Sequence, residues 1–121
     1  MKAILALLSL LAIASCAAPN LGGRSKLVGD WSYFDDTQSC RYSFKGDGSF
    51  SGEVARGKKL VLKFRGRWRV EGDVLRYVYQ SEAFGRIPPG TTDQDRLLEL
   101  NKDSFLIQAA NGDCRRYLRV R

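Results

Sequence analysis

The stretch Lys59 to Val70 reads Lys-Leu-Val-Leu-Lys-Phe-Arg-Gly-Arg-Trp-Arg-Val. Leu60, Leu62, Phe64, Gly66, Trp68 and Val70 alternate with Lys59, Val61, Lys63, Arg65, Arg67 and Arg69. A period of two held over this length specifies a strand with one apolar face and one wet face. Helical spacing would place Lys63 and Arg67 among the apolar side chains, which excludes a helix. So long a strand outruns an ordinary small sandwich and suits a strongly coiled sheet or a barrel. Its wet face is a row of cations, broken only by Val61.

The flanking chain has the same rhythm in shorter pieces. Strands are expected at Val28 to Phe34, Ser39 to Lys45 and Ser49 to Ala55, with Cys40, Tyr42, Phe44 and Phe50 on their apolar faces. Val74 to Gln80 follows the long strand, with Leu75, Tyr77 and Tyr79 opposite Val74, Arg76 and Val78; either face could be the inner one. Arg96 to Leu100, Ser104 to Ala109 and Asp113 to Val120 complete the set. Gly46-Asp47-Gly48 and Asn111-Gly112 are hairpin turns, because their residues tolerate positive φ. Ser81 to Asp93 holds Pro88-Pro89, which does not sit in a central strand, and is expected to be the one long loop. No segment reads as a helix. Eight strands joined by tight turns predict an all-β fold: a small eight-stranded antiparallel up-and-down barrel, closed so that no edge is left unpaired.

The first residues give the address. Met1 to Ser15 carry one cation, Lys2, and an apolar run too short to remain across a bilayer. Ile13-Ala14-Ser15-Cys16 resembles the bacterial lipobox, which implies diacylglycerol on the Cys16 sulfur. The plainer alternative is an ordinary cleaved signal with an incidental cysteine. Residues 1–15 are therefore expected to be a lipoprotein signal peptide. Residues 16–26, with Pro19, Asn20, Gly22, Gly23 and Ser25, are expected to be a flexible tether, and 27–121 the barrel. Setting Cys16 aside leaves Cys40 and Cys114, an even pair that in an exported chain predicts one disulfide. A bridge across so long a loop would contribute about 4 kcal/mol in the chain-entropy account.

Gly29-Asp30-Trp31 at the start of the first strand resembles the Gly-x-Trp signature of lipocalins. Tyr42 to Gly52, Gly66 to Leu75 and the closing Tyr117-Leu118-Arg119-Val120 resemble small bacterial lipocalin-like lipoproteins. The resemblance covers Leu27 to Arg121. It implies a small, non-enzymatic barrel in which an Arg of the last strand packs on Trp31; Arg116 and Arg119 both fit that position. The chain is shorter than a full lipocalin and lacks the Thr-Asp-Tyr motif and the carboxy-terminal helix.

The chain has no histidine, which removes a Ser-His-Asp triad and an imidazole metal site. Asp35-Asp36 is a turn former, and Gly46-Asp47-Gly48 precedes no helix that could cradle phosphate. No catalytic residue, metal or cofactor is expected. The net charge of +7 would suit nucleic acid, but export favours anionic lipid headgroups or envelope glycans as partners instead. Lys63, Arg65, Arg67 and Arg69 are the candidate contact to such a surface. Trp31, Tyr42, Phe64 and Trp68, with Phe84 and Ile87 from the long loop, are the candidate lining for a small apolar or amphipathic ligand. A packed core explains the four ring residues equally simply, and a solvated face explains the cations. The expected protein is thus a lipid-anchored barrel of the bacterial cell envelope, in the outer membrane and facing the periplasm. The alternatives are an inhibitor of a secreted hydrolase and a structural accessory of an outer-membrane assembly. The long loop is expected to fold over the barrel mouth as a lid.

Overall fold

The long strand forms as its alternation requires: β4 spans Lys59–Glu71 and is the longest strand. In this computed structural model, which describes residues 23–121, it is flanked by β3 (Ser49–Arg56) and β5 (Val74–Glu82). The expected signal peptide, the lipidated Cys16 and most of the tether lie outside the described residues. Around these strands run β1 (Gly29–Phe34), β2 (Ser39–Phe44), β6 (Thr92–Leu100), β7 (Ser104–Ala109) and β8 (Cys114–Arg119). All neighbours pair antiparallel in chain order, and β8 returns to β1 through Trp31↔Arg119 and Ser32↔Leu118. The fold is a closed eight-stranded up-and-down barrel, as the pattern of turns predicted.

Phe64, Gly66 and Trp68 of β4 face inward and are buried, whereas Lys63, Arg65, Arg67 and Arg69 face out. On β5, whose inner face was ambiguous in the sequence, Leu75, Tyr77 and Tyr79 point inward. Burial decides this: Val74 and Val78 can lie half-buried on the outer surface, but three larger side chains fill a barrel core better. The register shifts at Arg65/Gly66 against β5. A bulge there increases the local bend that closes a long strand into a barrel.

Three expectations need correction. A short helix, α1 (Gly23–Leu27), occupies the end of the expected tether, where no helix was foreseen. Five residues cannot hold a helix in isolation. Leu27, fully buried, is the contact that fixes it. Second, β6 starts at Thr92, not Arg96, so the long loop is shorter than expected. Thr92 to Arg96 supply the backbone partners for Val74 to Val78. The inward positions there are Asp93 and Asp95, and two carboxylates hide a strand's apolar period.

Third, Cys40 and Cys114 are free thiols, not a disulfide. Both sit at the same end of the barrel, as the topology requires. Cys40 faces inward beside Tyr42 and is buried, while Cys114 is exposed. Tyr117 points inward on β8, so alternation sends Arg115 inward and Cys114 outward. Thiols on opposite faces of a sheet, two strands apart, cannot meet the geometry of a disulfide.

Candidate functional site

The barrel interior divides into two halves of different character. The half beside α1 is closed by buried side chains. Trp31 is fully buried, and its indole Nε1–H donates to the Leu27 carbonyl at 2.8 Å. Phe105 meets Trp31 edge-on at 4.7 Å, and Phe44 packs on Trp68 at 5.0 Å. Arg24 of α1 lies 5.0 Å over the Trp68 ring from outside. Trp68 itself is 4 % exposed and donates Nε1–H to the Lys45 carbonyl. This end is a plug.

The half beside the loops carries more polar side chains, and several of its residues are only half-buried. Tyr42 stands near its centre, with Phe64 at 5.6 Å, Tyr77 at 6.1 Å and Tyr117 at 5.6 Å between ring centroids. It keeps an accessible edge despite these neighbours. Val54 and Leu62 are also only partly buried. The tyrosine hydroxyls here are neutral hydrogen-bonding groups. Burial pushes Tyr79 up to about 12 and holds Tyr42, Tyr77 and Tyr117 above their ordinary value as well. Burial likewise raises the Cys40 thiol, so it is a small apolar lining residue and not a nucleophile.

Two charged groups face into this half. Asp95 accepts a hydrogen bond from the Tyr77 hydroxyl at 3.0 Å. Burial pushes its carboxyl up to about 6; the Tyr77 bond and the Arg115 charge oppose that shift, and Asp93 adds to it. Arg115 is half-buried on β8, its guanidinium carbon 6.0 Å from the Tyr33 ring centroid. No carboxylate among the described residues stands within salt-bridge distance of it. Partial burial makes charges interact more strongly here than on the open surface. This half therefore sets apolar and aromatic side chains beside polar and charged groups.

The sequence-derived ligand residues separate accordingly. Tyr42 and Phe64 line the open half. Trp31 and Trp68 belong to the plug, behind Phe44 and Phe105. Ile87 packs against the core, but Phe84 is 50 % exposed on the loop. That loop is tied along β4: Ala83 N–H donates to the Lys63 carbonyl and the Arg86 guanidinium to the Val61 carbonyl. At its other end Gly90 N–H donates to the Tyr79 carbonyl. Ile87 is the loop side chain that packs against the core. Tyr33, Tyr77, Tyr79, Asp95, Arg115 and Tyr117 were not singled out in the sequence. The signal for Arg115 was present, since Arg115-Arg116-Tyr117 places it on the same face as an inward tyrosine.

An open groove of about 1110 Å³ runs across β1 to β5, bordered by Arg41, Lys45, Lys63 and Arg65 but also by Asp30 and Glu53, with Tyr42, Phe50 and Phe64 among its lining residues. Its charges are mixed in sign and solvated, so they select weakly. Within the cationic row, Arg67 donates to the Asp47 carbonyl at 3.0 Å and Arg69 pairs with Glu71 at 3.5 Å. Lys63 and Arg65 carry no ion pair among the described residues. Also among the described residues, no three His, Cys, Asp or Glu side chains gather as a metal site, and no helix is long and apolar enough to cross a membrane.

No protein-family model and no curated protein matches the sequence. Solved structures do match the fold. A lipocalin-like protein from Bacteroides uniformis ATCC 8492, seen by crystallography, aligns with a TM-score of 0.58 at 17 % identity, over 78 % of this chain and 99 % of its own. An NMR structure of a protein from Bacteroides thetaiotaomicron VPI-5482 gives 0.55 at 13 % identity, over 87 % and 94 %. A second Bacteroides uniformis protein, also by NMR, gives 0.54 at 19 %, over 78 % and 88 %. At such identities the likeness establishes architecture, and the architecture of this chain is a small lipocalin-like eight-stranded antiparallel barrel.

Proposed function

We propose that this chain is a lipid-anchored protein of the bacterial cell envelope whose barrel binds a small amphipathic ligand through its loop-side end, without catalysis. The observation that carries the reading is the division of the interior. One end is plugged by Leu27, Trp31 and Trp68, and the other combines partly accessible apolar side chains with tyrosine hydroxyls, Asp95 and Arg115. Half-burying the charges of Asp95 and Arg115 costs desolvation free energy, which supports a use beyond packing.

The anchor rests on Ile13-Ala14-Ser15-Cys16. Exposed Lys63, Arg65, Arg67 and Arg69 support a second contact, to anionic headgroups, in addition to the acyl chains. The test is made on the full chain in a bacterial host. Wild-type protein is expected in the membrane fraction with a diacylated Cys16, and Cys16→Ser in the soluble fraction. The purified Cys16→Ser chain is expected to bind an environment-sensitive fluorescent amphiphile at one saturable site. An unmodified cysteine in the intact mass contradicts the anchor. Absence of saturable binding contradicts the ligand-binding reading.

A further inference from the structure

We infer that Arg24 of α1 and Arg67 of β4 together form a surface site for the phosphate group of an anionic lipid headgroup. The site rests on the envelope reading above and narrows its headgroup contact from a row of cations to one pair of guanidinium groups.

The two side chains meet over Gly48, a buried residue of the β2–β3 turn. A Cβ built there would lie 2.7 Å from Nη2 of Arg67 and 3.2 Å from Nη2 of Arg24, so the absence of a side chain is what seats both. The two amino groups therefore lie against one point of the surface, a few ångströms apart. Each arginine is held by a contact of its own. Arg67 donates to the Asp47 carbonyl at 3.0 Å, and the Arg24 guanidinium carbon lies 5.0 Å from the Trp68 ring centroid. Both residues are exposed, so a ligand at a surface can reach them.

Like charges held this close repel each other, and among the described residues neither arginine has an ion-pair partner. Asp47 is the carboxylate of this turn. It accepts from the Ser49 N–H at 2.9 Å and from the Ser49 hydroxyl at 2.6 Å. Arg67 and Lys45 favour its ionised form without pairing with it. Arg24, Arg67 and Lys45 thus outnumber it. An anion set between the two guanidinium groups removes their repulsion and takes N–H donors from each. One guanidinium fork satisfies both oxygens of a carboxylate, whereas a phosphate has oxygens for two such partners.

Position selects a lipid phosphate over a soluble one. Arg24 stands eight residues beyond Cys16. A chain of that length spans at most about 26–29 Å, so an acylated Cys16 keeps α1 near the headgroup layer. Lys26, also exposed on α1, adds to the attraction. Gly48 and Trp68 belong to the plugged end, so a headgroup held here turns the loop-side end away from the bilayer. Lys63, at the far end of the cationic row, lies instead beside the loop, where Ala83 N–H donates to its carbonyl.

The test takes the protein as the bacterial host delivers it, in phosphatidylcholine nanodiscs with increasing phosphatidylglycerol. The Trp68 indole N–H signal, beneath Arg24, reports the site. The Trp31 indole, held by the Leu27 carbonyl, shows in the same spectrum that each variant is folded. Phosphatidylglycerol is expected to shift Trp68 saturably and leave Trp31 unmoved. Arg24→Lys and Arg67→Lys keep the charge but lose the fork, and each is expected to weaken the apparent affinity about tenfold, the size of one charge-assisted contact. Lys63→Arg is expected to change nothing. A Trp68 signal indifferent to phosphatidylglycerol, or a response that survives in Arg24→Lys and Arg67→Lys, overturns the site. Inorganic phosphate that shifts Trp68 where the nanodiscs do not overturns the lipid source. Intact mass of the same sample reads the anchor separately. A diacylated Cys16 beside an unresponsive Trp68 overturns the site alone. With an unmodified Cys16 the anchor falls, and the same titration with added vesicles decides the site.

Discussion

Arg119 lies over Trp31, its guanidinium carbon 4.2 Å from the ring centroid. The same side chain donates to the carbonyls of Lys26 at 2.9 Å, Val28 at 3.0 Å and Lys102 at 2.7 Å. It therefore joins the last strand to the first, to α1 and to the β6–β7 turn. Of the two arginines that could have filled this position, Arg116 instead points outward to Glu99 at 3.2 Å.

Arg119→Leu is expected to destabilise the domain by about 2–3 kcal/mol, since it removes hydrogen bonds from a charged donor and a cation–π contact. Arg119→Lys keeps the charge but not the planar fork, and should fall between. Urea denaturation of the Cys16→Ser chain measures both. A leucine variant as stable as wild type would contradict the clamp.

Gly66 sits at the register shift of β4 against β5. A Cβ there would lie 2.0 Å from the Val78 carbonyl oxygen and 2.8 Å from the Phe50 ring. Gly66→Ala is expected to cost about 2–3 kcal/mol through overpacking against backbone that has no room to move. Gly46→Ala, with nothing within 4 Å, is the control and should be near neutral. Similar costs for the two would contradict the close approach of β4 and β5.

The thiols offer a direct check of which way two strands face. Thiol labelling of the folded, unreduced Cys16→Ser chain should find one rapidly reacting group, Cys114. The second, Cys40, should react only as the barrel opens. No titratable thiol at all would mean that a disulfide exists and that β8 is rotated from the register Gln108↔Cys114.

These cysteines also show where sequence reading stopped. Alternation along Lys59 to Val70 was sufficient for the strand, its faces and the curvature that closes a barrel. Pairing Cys40 with Cys114 relied on counting and compartment, and omitted the alternation that puts Arg115, not Cys114, beside Cys40. The open half was less legible for a related reason. Its polar members, Asp93 and Asp95, interrupt the apolar period of β6 and made it look like loop. Trp31 and Trp68 were chosen for a ligand because they are large and aromatic. Their position against Leu27 and α1 depends on a helical turn that is stable only when packed, which local propensity does not reveal.

Asp95 should leave a signature in the dependence of stability on pH. Its folded value of about 6 lies above the ordinary 3.8, so the folded state holds the proton more tightly than the unfolded chain. Stability from this group is present below the unfolded value and is lost as pH rises through about 6. Asp47, Glu71 and Glu82 are shifted downward and act in the opposite sense, but they are common to wild type and variant. The stability difference between Asp95→Asn and wild type is therefore expected to grow from pH 4 and level off above about pH 7, with the variant the more stable. A difference that is flat across this range would contradict a desolvated Asp95.

The account depends most on the claim that one end of the barrel is plugged and the other receives a ligand. Trp31 and Trp68 each carry an indole N–H held by a backbone carbonyl in the plug, and they are the only tryptophans in the chain. Titration of the isotope-labelled Cys16→Ser chain with 1-octanol, followed by amide and indole NMR signals, reads both ends at once. The expected result is saturable shifts at Cys40, Tyr42, Asp95, Arg115 and Tyr117, with the two indole signals unmoved. Shifts centred on the Trp31 and Trp68 indoles, or none that saturate, would contradict it.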